Sequence, residues 1–297
     1  MLAFWEILRP FNCLMASAAA IIGLLIAMVQ DMHAALIIAG AVFLITGAGN
    51  VINDYYDRQI DAINRPDRPI PSKRVRPQTA FYYSIALFAA GCILAGLAGR
   101  ICLAIAAFNS LLLFFYARNL KATPILGNLS VSYLTGSTFL FGGAVAGFMG
   151  ILANQVPFGL SFLASMSREI AKDIEDMVGD QQGGARTLPI LAGERAAAAL
   201  AGLFGVAGVA LSLLAPFGRL YLLIVAVADL LLLLSVYKVI RKDAAGSQKA
   251  IKKGMAVALL AFLASEAGCP HARDALAEMF WPEQPPGVAL ANLRHSL

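Results

Sequence analysis

Two clusters of aspartates with the same internal spacing are the residues of this chain best suited to chemistry. Asp54, Asp57 and Asp61 follow one another at i, i+3 and i+7, so on an α-helix they lie within about 60° of one face. The same spacing recurs 119 residues later, in Asp173, Asp176 and Asp180. Like charges so close together repel one another, and the clustering makes sense if the carboxylates share a cation.

The cation that these groups favour is a hard divalent ion. Mg²⁺ prefers carboxylate oxygens and typically combines one or two of them with phosphate oxygens of a substrate. Six carboxylates cannot themselves hold an anion, but with two Mg²⁺ they form a clamp for a diphosphate. Basic side chains would complete such a site, and Arg68, Lys121 and Arg186 are the candidates. The alternative, two solvated helix ends, does not explain why the two spacings match.

The composition indicates that these clusters belong to a membrane protein. The chain has 297 residues, of which 59% are hydrophobic and 14% charged, with a mean hydropathy of +0.73. Soluble domains carry roughly a quarter charged residues, so an all-α polytopic membrane protein is predicted. Apolar runs predict nine transmembrane helices, at residues 12–29, 35–57, 80–98, 101–117, 129–150, 156–174, 196–214, 220–238 and 252–266.

The basic residues predict the orientation. All but four of the 23 lysines and arginines fall on alternate loops; the exceptions are Arg100, Arg219, Arg273 and Arg294. The positive-inside rule then places the N-terminus and the loops that carry the candidate site in the cytoplasm. The net charge of +5 therefore reflects topology rather than a nucleic-acid partner.

The constant offset between the clusters predicts an internal repeat. Two four-helix halves and a last helix would surround a central cavity, with each half placing one acidic helix end there. Gly179 is expected to end the second acidic helix early and to leave Asp180 on the loop. The histidines, His33, His271 and His295, fall on the opposite side or in the C-terminal tail, which excludes a histidine base or ligand in this site.

Longer motifs around the aspartates resemble those of the UbiA superfamily of intramembrane prenyltransferases. The pattern N-D-x-x-D-x-x-x-D runs from Asn53 to Asp61, and N-x-P-x-R-P-I-P-S runs from Asn64 to Ser72. The resemblance extends from about Arg9 to Lys253. Within the superfamily, LRPFNC near the N-terminus and REIAKDIEDMVGD followed by ARTLPI are most similar to the archaeal digeranylgeranylglyceryl phosphate synthases.

The resemblance implies an activity. It implies Mg²⁺-dependent loss of diphosphate from geranylgeranyl diphosphate, followed by attack of the free hydroxyl of geranylgeranylglyceryl phosphate on the allylic cation. The implied metal ligands are Asp54, Asp57, Asp173 and Asp176. The implied diphosphate ligands are Asn53, Arg68 and Lys121. Arg186 is added to them because of its position in the loop after the sixth predicted span. Asp61 and Asp180 would orient ligands or accept the proton. The aromatic residues that could stabilise the cation are Tyr55, Tyr56 and Tyr133.

Two features depart from the family pattern. Lys73 stands where the family usually has glycine, which is expected to affect the turn of that loop. Residues 1–265 are predicted to form the transmembrane domain, and residues 266–297 an irregular tail that resembles nothing in the family.

Other functions remain open at this stage. The acceptor could be an aromatic acid or a quinone precursor, because the metal motifs recognise only the diphosphate. A phosphoglycerol acceptor would need further cations, such as Arg9, Lys172 or Arg186. A divalent-cation transporter is disfavoured because the carboxylates all lie on one side, and a structural scaffold would explain none of the spacing. The expected partners are an isoprenyl diphosphate, a lipid phosphate and membrane lipids, with no nucleic acid and no obligate protein partner.

Overall fold

The computed structural model describes residues 2–182, 184, 186–213 and 218–267, and within these ranges its regular secondary structure is helical. The predicted all-α class is therefore confirmed. In chain order the helices are α1 (Leu2–Leu8), α2 (Pro10–Ile26), α3 (Met32–Tyr56), α4 (Arg58–Asn64), α5 (Pro77–Ala98), α6 (Arg100–Arg118), the 3-10 helix η1 (Leu120–Ala122), α7 (Leu126–Gly143), the 3-10 helix η2 (Ala144–Ala146), α8 (Gly147–Ala153), α9 (Gln155–Gln182), α10 (Leu188–Ala192), α11 (Glu194–Leu213), α12 (Gly218–Ile240) and α13 (Ala244–Ala267).

Each of the nine predicted spans overlaps a helix, and the fifth overlaps α7, η2 and α8 in succession. In the described part of the chain, six helical segments are long and apolar enough to cross a membrane: α3, α5, α6, α7 with α8, α11 and α12. The pair α1 and α2, bent by 49°, would be a seventh. The protein is thus a membrane protein with several apolar spans, while α9 and α13 carry too many polar residues to belong to this set.

The first half of the chain packs around α3, which contacts α2, α5 and α6. One face of α3 is buried along its length, through Ile38, Ala41, Ile45, Ala48 and Ile52. These positions alternate in steps of three and four, the spacing of a single helix face. Lipid tails are as apolar as these side chains, so close packing rather than the hydrophobic effect holds the helices together within the bilayer.

Two glycines allow a very close helix crossing between α2 and α7. A Cβ atom added to Gly142 would collide with the backbone oxygen of Ala20, and one added to Gly23 would collide with the backbone oxygen of Phe139. Only glycine allows the two backbones to come this near. This crossing holds α2, from the start of the chain, against the helix that precedes the second acidic segment.

The second half packs around α9, which contacts α7, α11 and α13. Met166 and Ile170 on one face of α9 belong to a buried cluster with Ala197 and Ala201 of α11. Packing against α11 therefore fixes the rotation of α9 about its axis, and this rotation directs the face that carries Asp173 towards α7.

The two acidic segments differ in their helical structure. The first is not one continuous helix: α3 ends at Tyr56, Asp57 forms the turn, and α4 begins at Arg58. The second is continuous, and the expectation that Gly179 ends the helix is wrong, because α9 runs on to Gln182 and Asp180 is helical. A single glycine lowers helix propensity by only about 1 kcal/mol and leaves the backbone hydrogen bonds in place.

The last described helix, α13, begins at Ala244 rather than at residue 252. Asp243 caps its N-terminus, since the backbone N–H of Gly246 donates to Asp243 Oδ1 over 2.8 Å. Hydropathy missed this first part because it is polar. The predicted tail lies outside the described residues from position 268 onward.

Candidate active site

The first acidic cluster is held together by Arg68. Arg68 Nη1 donates to Asp54 Oδ1 over 3.1 Å and to Asp61 Oδ2 over 2.6 Å, and both aspartates are almost completely buried. Asp54 belongs to α3 and Asp61 to α4, so one guanidinium joins the two helices across the turn at Asp57. The charge-assisted bonds compensate for removing the two carboxylates from water.

The loop that carries Arg68 is fixed in turn to the N-terminal helix. Arg74 donates to both carboxylate oxygens of Glu6 in α1, over 2.5 and 3.0 Å, and Ser72 Oγ donates to the backbone oxygen of Arg68 over 2.6 Å. Lys73 has a φ of 61°, the left-handed conformation that favours glycine. The lysine therefore keeps the turn that a glycine would make, and the loop still delivers Arg68 to the aspartates.

Asp54 has a second basic partner, Arg9, from the junction of α1 and α2. Arg9 Nη2 lies 2.5 Å from Asp54 Oδ1, and the backbone of Arg9 is left-handed, with a φ of 54°. From the sequence, Arg9 was expected only as one of several cations for a phosphorylated acceptor. Its position in the motif LRPFNC was the only signal of a role, because nothing in the spacing connects residue 9 with residue 54.

Asp57, at the turn, is bound from two directions. Asn53 Nδ2, one helical turn earlier, donates to Asp57 Oδ2 over 2.8 Å, and Lys121 Nζ in η1 lies 2.5 Å from the same oxygen. The helix α7 follows η1 directly, so Lys121 connects the first acidic cluster to the part of the bundle that packs against α9.

The second acidic cluster lies along the end of α9. Asn128 Nδ2 of α7 donates to Asp173 Oδ2 over 2.9 Å, while Asp176 is exposed. Asp180 lies beyond the apolar part of the helix. Burial raises the pKa of Asp180, the charge of Asp176 raises it further, and Lys172 and Lys121 act in the opposite direction. Asn128, seven residues after Lys121 in the chain, was outside the predicted site set.

A fourth carboxylate joins this cluster from one turn nearer the membrane centre. Glu169 is 7% exposed and forms an ion pair with Arg168, its neighbour in the chain. The sequence analysis assigned a role to neither residue. The signal available for Glu169 was that it precedes Asp173 by four residues, which places both on one face of α9.

The two clusters converge at the same end of the bundle. Lys121, bound to Asp57, is near enough to Asp180 to affect its ionisation. Tyr116, at the end of α6, lies within electrostatic range of Asp57 from the first cluster and of Asp173 from the second. The loops above them also meet, since the backbone N–H of Arg186 donates to the oxygen of Ala122 over 3.4 Å.

The remaining predicted residues make other contacts. The side chain of Arg186 is exposed. Tyr55 packs against Tyr56 and Phe81, and its ring contacts the guanidinium of Arg58 at 4.8 Å. Tyr133 packs between Phe108 and Phe158. His33 lies at the far end of α3 from the aspartates, as expected, and the other two histidines lie outside the described residues.

The donor set fits a divalent cation. In the part of the chain that the structure describes, no three acidic, histidine or cysteine side chains stand close enough together to hold an ion as they are. In the first cluster, Arg9, Arg68 and Lys121 occupy the carboxylates instead. In the second cluster the described cations nearby are Arg168, Lys172 and Lys121, and Lys121 is already paired with Asp57. The carboxylates outnumber these cations; they are Glu169, Asp173, Asp176 and Asp180. Hard oxygen donors with surplus negative charge suit Mg²⁺.

Comparison with known proteins agrees with this geometry. The model of the UbiA prenyltransferase family matches residues 14–265. The chain is 51% identical over 260 residues to the digeranylgeranylglyceryl phosphate synthase of Methanothrix thermoacetophila, covering 87% of this chain and 97% of that protein. It is 48% identical over 281 residues to the synthase of Methanosarcina mazei, covering 88% of this chain and 97% of that one.

Solved structures agree as well. A structure of a digeranylgeranylglyceryl phosphate synthase, 36% identical, superposes with a TM-score of 0.79 and covers 90% of this chain and 98% of its own. A UbiA homologue from Archaeoglobus fulgidus, bound to GPP and Mg²⁺, has a TM-score of 0.61 at 16% identity, covers 86% of this chain and 99% of its own, and shares the fold. The resemblance drawn from the aspartate motifs is confirmed: this chain belongs to the UbiA prenyltransferase family.

Proposed function

We propose that this protein is a digeranylgeranylglyceryl phosphate synthase. It transfers a geranylgeranyl group from geranylgeranyl diphosphate to the free hydroxyl of geranylgeranylglyceryl phosphate, and so forms the second ether link of an archaeal membrane lipid. The observation that carries the proposal is the convergence of the two aspartate clusters at one end of the bundle. The identity of about half of all aligned residues with synthases that carry this name supports the choice of acceptor.

In this proposal Mg²⁺ is held by four aspartates, Asp54, Asp57, Asp173 and Asp176. When bound, the metal neutralises negative charge that develops on the departing diphosphate. Asn53, Arg68, Lys121 and Arg186 bind the diphosphate oxygens. Arg68 presents a planar pair of donors suited to two oxygens, whereas Lys121 acts as a point charge.

Asp61 and Asp180 have a different role in the proposal. Each lies one or two turns beyond the metal-binding pair of its cluster, where it orients the basic ligands or accepts the proton of the acceptor hydroxyl. The contact of Asp61 with Arg68 supports the first of these roles. Tyr56 and Tyr133, with Tyr55, are proposed to supply aromatic surface to the allylic cation.

The proposed arrangement in the membrane has nine spans, in two related four-helix halves and a last helix. Residues 1–265 form the transmembrane domain, and residues 266–297 form a separate tail. The N-terminus and the loops above the aspartates face the cytoplasm. The distribution of lysine and arginine supports this orientation, and an impermeant thiol reagent tests it: Ser72→Cys should react only when the cytoplasmic face is accessible.

A matrix of substrates tests the activity. The full chain, purified in detergent with Mg²⁺, is given donors of several prenyl lengths, with geranylgeranylglyceryl phosphate or 4-hydroxybenzoate as acceptor. We expect transfer to the lipid phosphate, abolished by a chelator and restored by Mg²⁺. Transfer to 4-hydroxybenzoate with no reaction of the lipid would favour an aromatic acceptor. Cation uptake into sealed vesicles without any diphosphate would favour a transporter.

A further inference from the structure

Arg168 has no role in the activity as described so far, and Lys172 was named only as a candidate cation for a phosphorylated acceptor. Both lie on α9, four residues apart, so their side chains are separated by about 6 Å along the axis and by about 40° around it. Like charges at this spacing repel one another. Once a divalent cation compensates the neighbouring aspartates, this repulsion favours an anion beside the two basic residues.

Arg168 lies where a membrane protein seldom places a cation. Its side chain is only 24% exposed, and Glu169, with which it is paired, is 9% exposed. Arg168 is one turn nearer the membrane centre than Asp173, and charges at such positions mark substrate pathways. The pairing with Glu169 reduces the cost of burying the guanidinium while leaving its other N–H donors free for a ligand.

Arg168 also faces the centre of the site. It lies within electrostatic range of Tyr116 on α6, as do Asp57 and Asp173. The opposite face of α9 is covered by α11 through Met166 and Ile170. The guanidinium is thus near the two aspartate clusters and lies further along α9 from the helix end that carries Asp180.

Three other basic residues near the site are paired with aspartates of the first cluster. Arg9 is paired with Asp54, Arg68 with Asp54 and Asp61, and Lys121 with Asp57. Arg186 is exposed on the loop. Neither the partly buried Arg168 nor the exposed Lys172 lies within ion-pair distance of an aspartate that the structure describes.

We propose that Arg168 and Lys172 form the subsite for the phosphate of the lipid acceptor. The inference rests on the proposed function and assigns the specificity for a phosphorylated acceptor to this pair. A phosphomonoester dianion between the two side chains would relieve their repulsion. Its glycerol hydroxyl would then lie beneath the diphosphate of the donor, with the apolar chain extending into the membrane.

The test compares two acceptors that differ only in the phosphate, geranylgeranylglyceryl phosphate and geranylgeranylglycerol. In the unmodified protein the phosphorylated acceptor should have the higher kcat/KM. In Arg168→Gln that preference should fall by about 10- to 100-fold, the range for a lost charge-assisted hydrogen bond, mostly through KM of the phosphorylated acceptor. KM of geranylgeranyl diphosphate should stay unchanged. Arg195→Gln removes the same charge from an exposed position of α11 and should preserve the preference.

A second variant and a binding measurement exclude a merely structural effect. Arg168→Gln leaves Glu169 buried without a partner, so Arg168→Gln/Glu169→Gln, which removes both charges, should show the same loss of preference. With Mg²⁺ but without donor, geranylgeranylglyceryl phosphate should raise the Tm of the unmodified protein but not of either variant.

The outcomes separate the two proposals. Variants that keep the full preference for the phosphorylated acceptor would overturn the assignment of the subsite while leaving the proposed function intact. An unmodified protein that uses the two acceptors equally would also overturn it. An unmodified protein that prenylates neither lipid acceptor would overturn the proposed function itself.

Discussion

Lys121 Nζ lies 2.5 Å from Asp57 Oδ2. This contact joins the first acidic cluster to η1, in the loop between α6 and α7. Lys121 is also near enough to Asp180 to affect its ionisation. One ammonium group on a short 3-10 helix therefore interacts with both halves of the candidate site, which makes it sensitive to their relative position.

Replacing Lys121 should impair use of the donor. Lys121→Gln removes a charge-assisted contact, and we expect kcat/KM for the prenyl diphosphate to fall by about 10- to 100-fold, with Lys121→Arg recovering part of the loss. Steady-state kinetics at saturating acceptor measures this. Lys242→Gln serves as control, because Lys242 contacts only the surface residue Glu194 over 3.4 Å. Equal activity of Lys121→Gln and the control would contradict the assignment.

Arg9 should compete with the metal. Arg9 occupies one carboxylate oxygen of Asp54, which would also hold the divalent cation in the proposed site, so removing the guanidinium should leave a better cation ligand. In Arg9→Gln the Mg²⁺ concentration for half-maximal activity should drop by about threefold to tenfold, whereas Asp54→Asn should raise it. A magnesium titration of the turnover rate measures both. Arg58→Gln, which loses a bond to the backbone oxygen of Tyr55, should leave the requirement unaltered. An unchanged requirement in Arg9→Gln argues against this competition.

The left-handed backbone conformation of Lys73, between α4 and α5, should lower the free energy of unfolding. Lys73 has a φ of 61°, a conformation about 1 kcal/mol less favourable for lysine than for glycine. Lys73→Gly should therefore raise the free energy of unfolding by about that amount. Lys249→Gly, within helix α13, should lower it by a similar amount. Thermal unfolding in one detergent measures both, and a loss of stability in Lys73→Gly would show that the lysine side chain makes a contact worth more than the strain.

The α2–α7 crossing predicts a contrast between two glycines. Gly142→Ala adds a methyl group against the backbone of Ala20, so we expect a loss of about 2–3 kcal/mol or failure to accumulate in the membrane. Gly179→Ala adds the same group to a helix with open space around it and should stabilise α9 by about 0.5–1 kcal/mol. Equal effects of the two substitutions would contradict this account of the crossing.

The sequence was most informative where a helix period was involved. The spacing of Asp54, Asp57 and Asp61 predicted a shared site because helical geometry fixes which side chains are neighbours. The nine apolar runs fell on helices for the same reason. Hydropathy failed at Ala244, where the helix begins in polar residues behind an aspartate cap.

Tertiary contacts between distant segments were beyond such reasoning. The pairing of Arg9 with Asp54 depends on how α1 turns into α2, and that of Asn128 with Asp173 on the crossing of α7 and α9. The break at Asp57 and the continuation of α9 through Gly179 are small local differences in backbone energy, which the packing of the surrounding helices decides. A list of motifs contains no such information.

The contact between Gly142 and Ala20 has a consequence for biogenesis. The chain is synthesised from its N-terminus, so α2 is inserted into the membrane well before α7 exists. The contact between α2 and α7 therefore forms only after α3, α5 and α6 have been added. The second aspartate segment follows only after that closure. A chain arrested before α9 would have an N-terminal bundle with only the first acidic cluster of the candidate site.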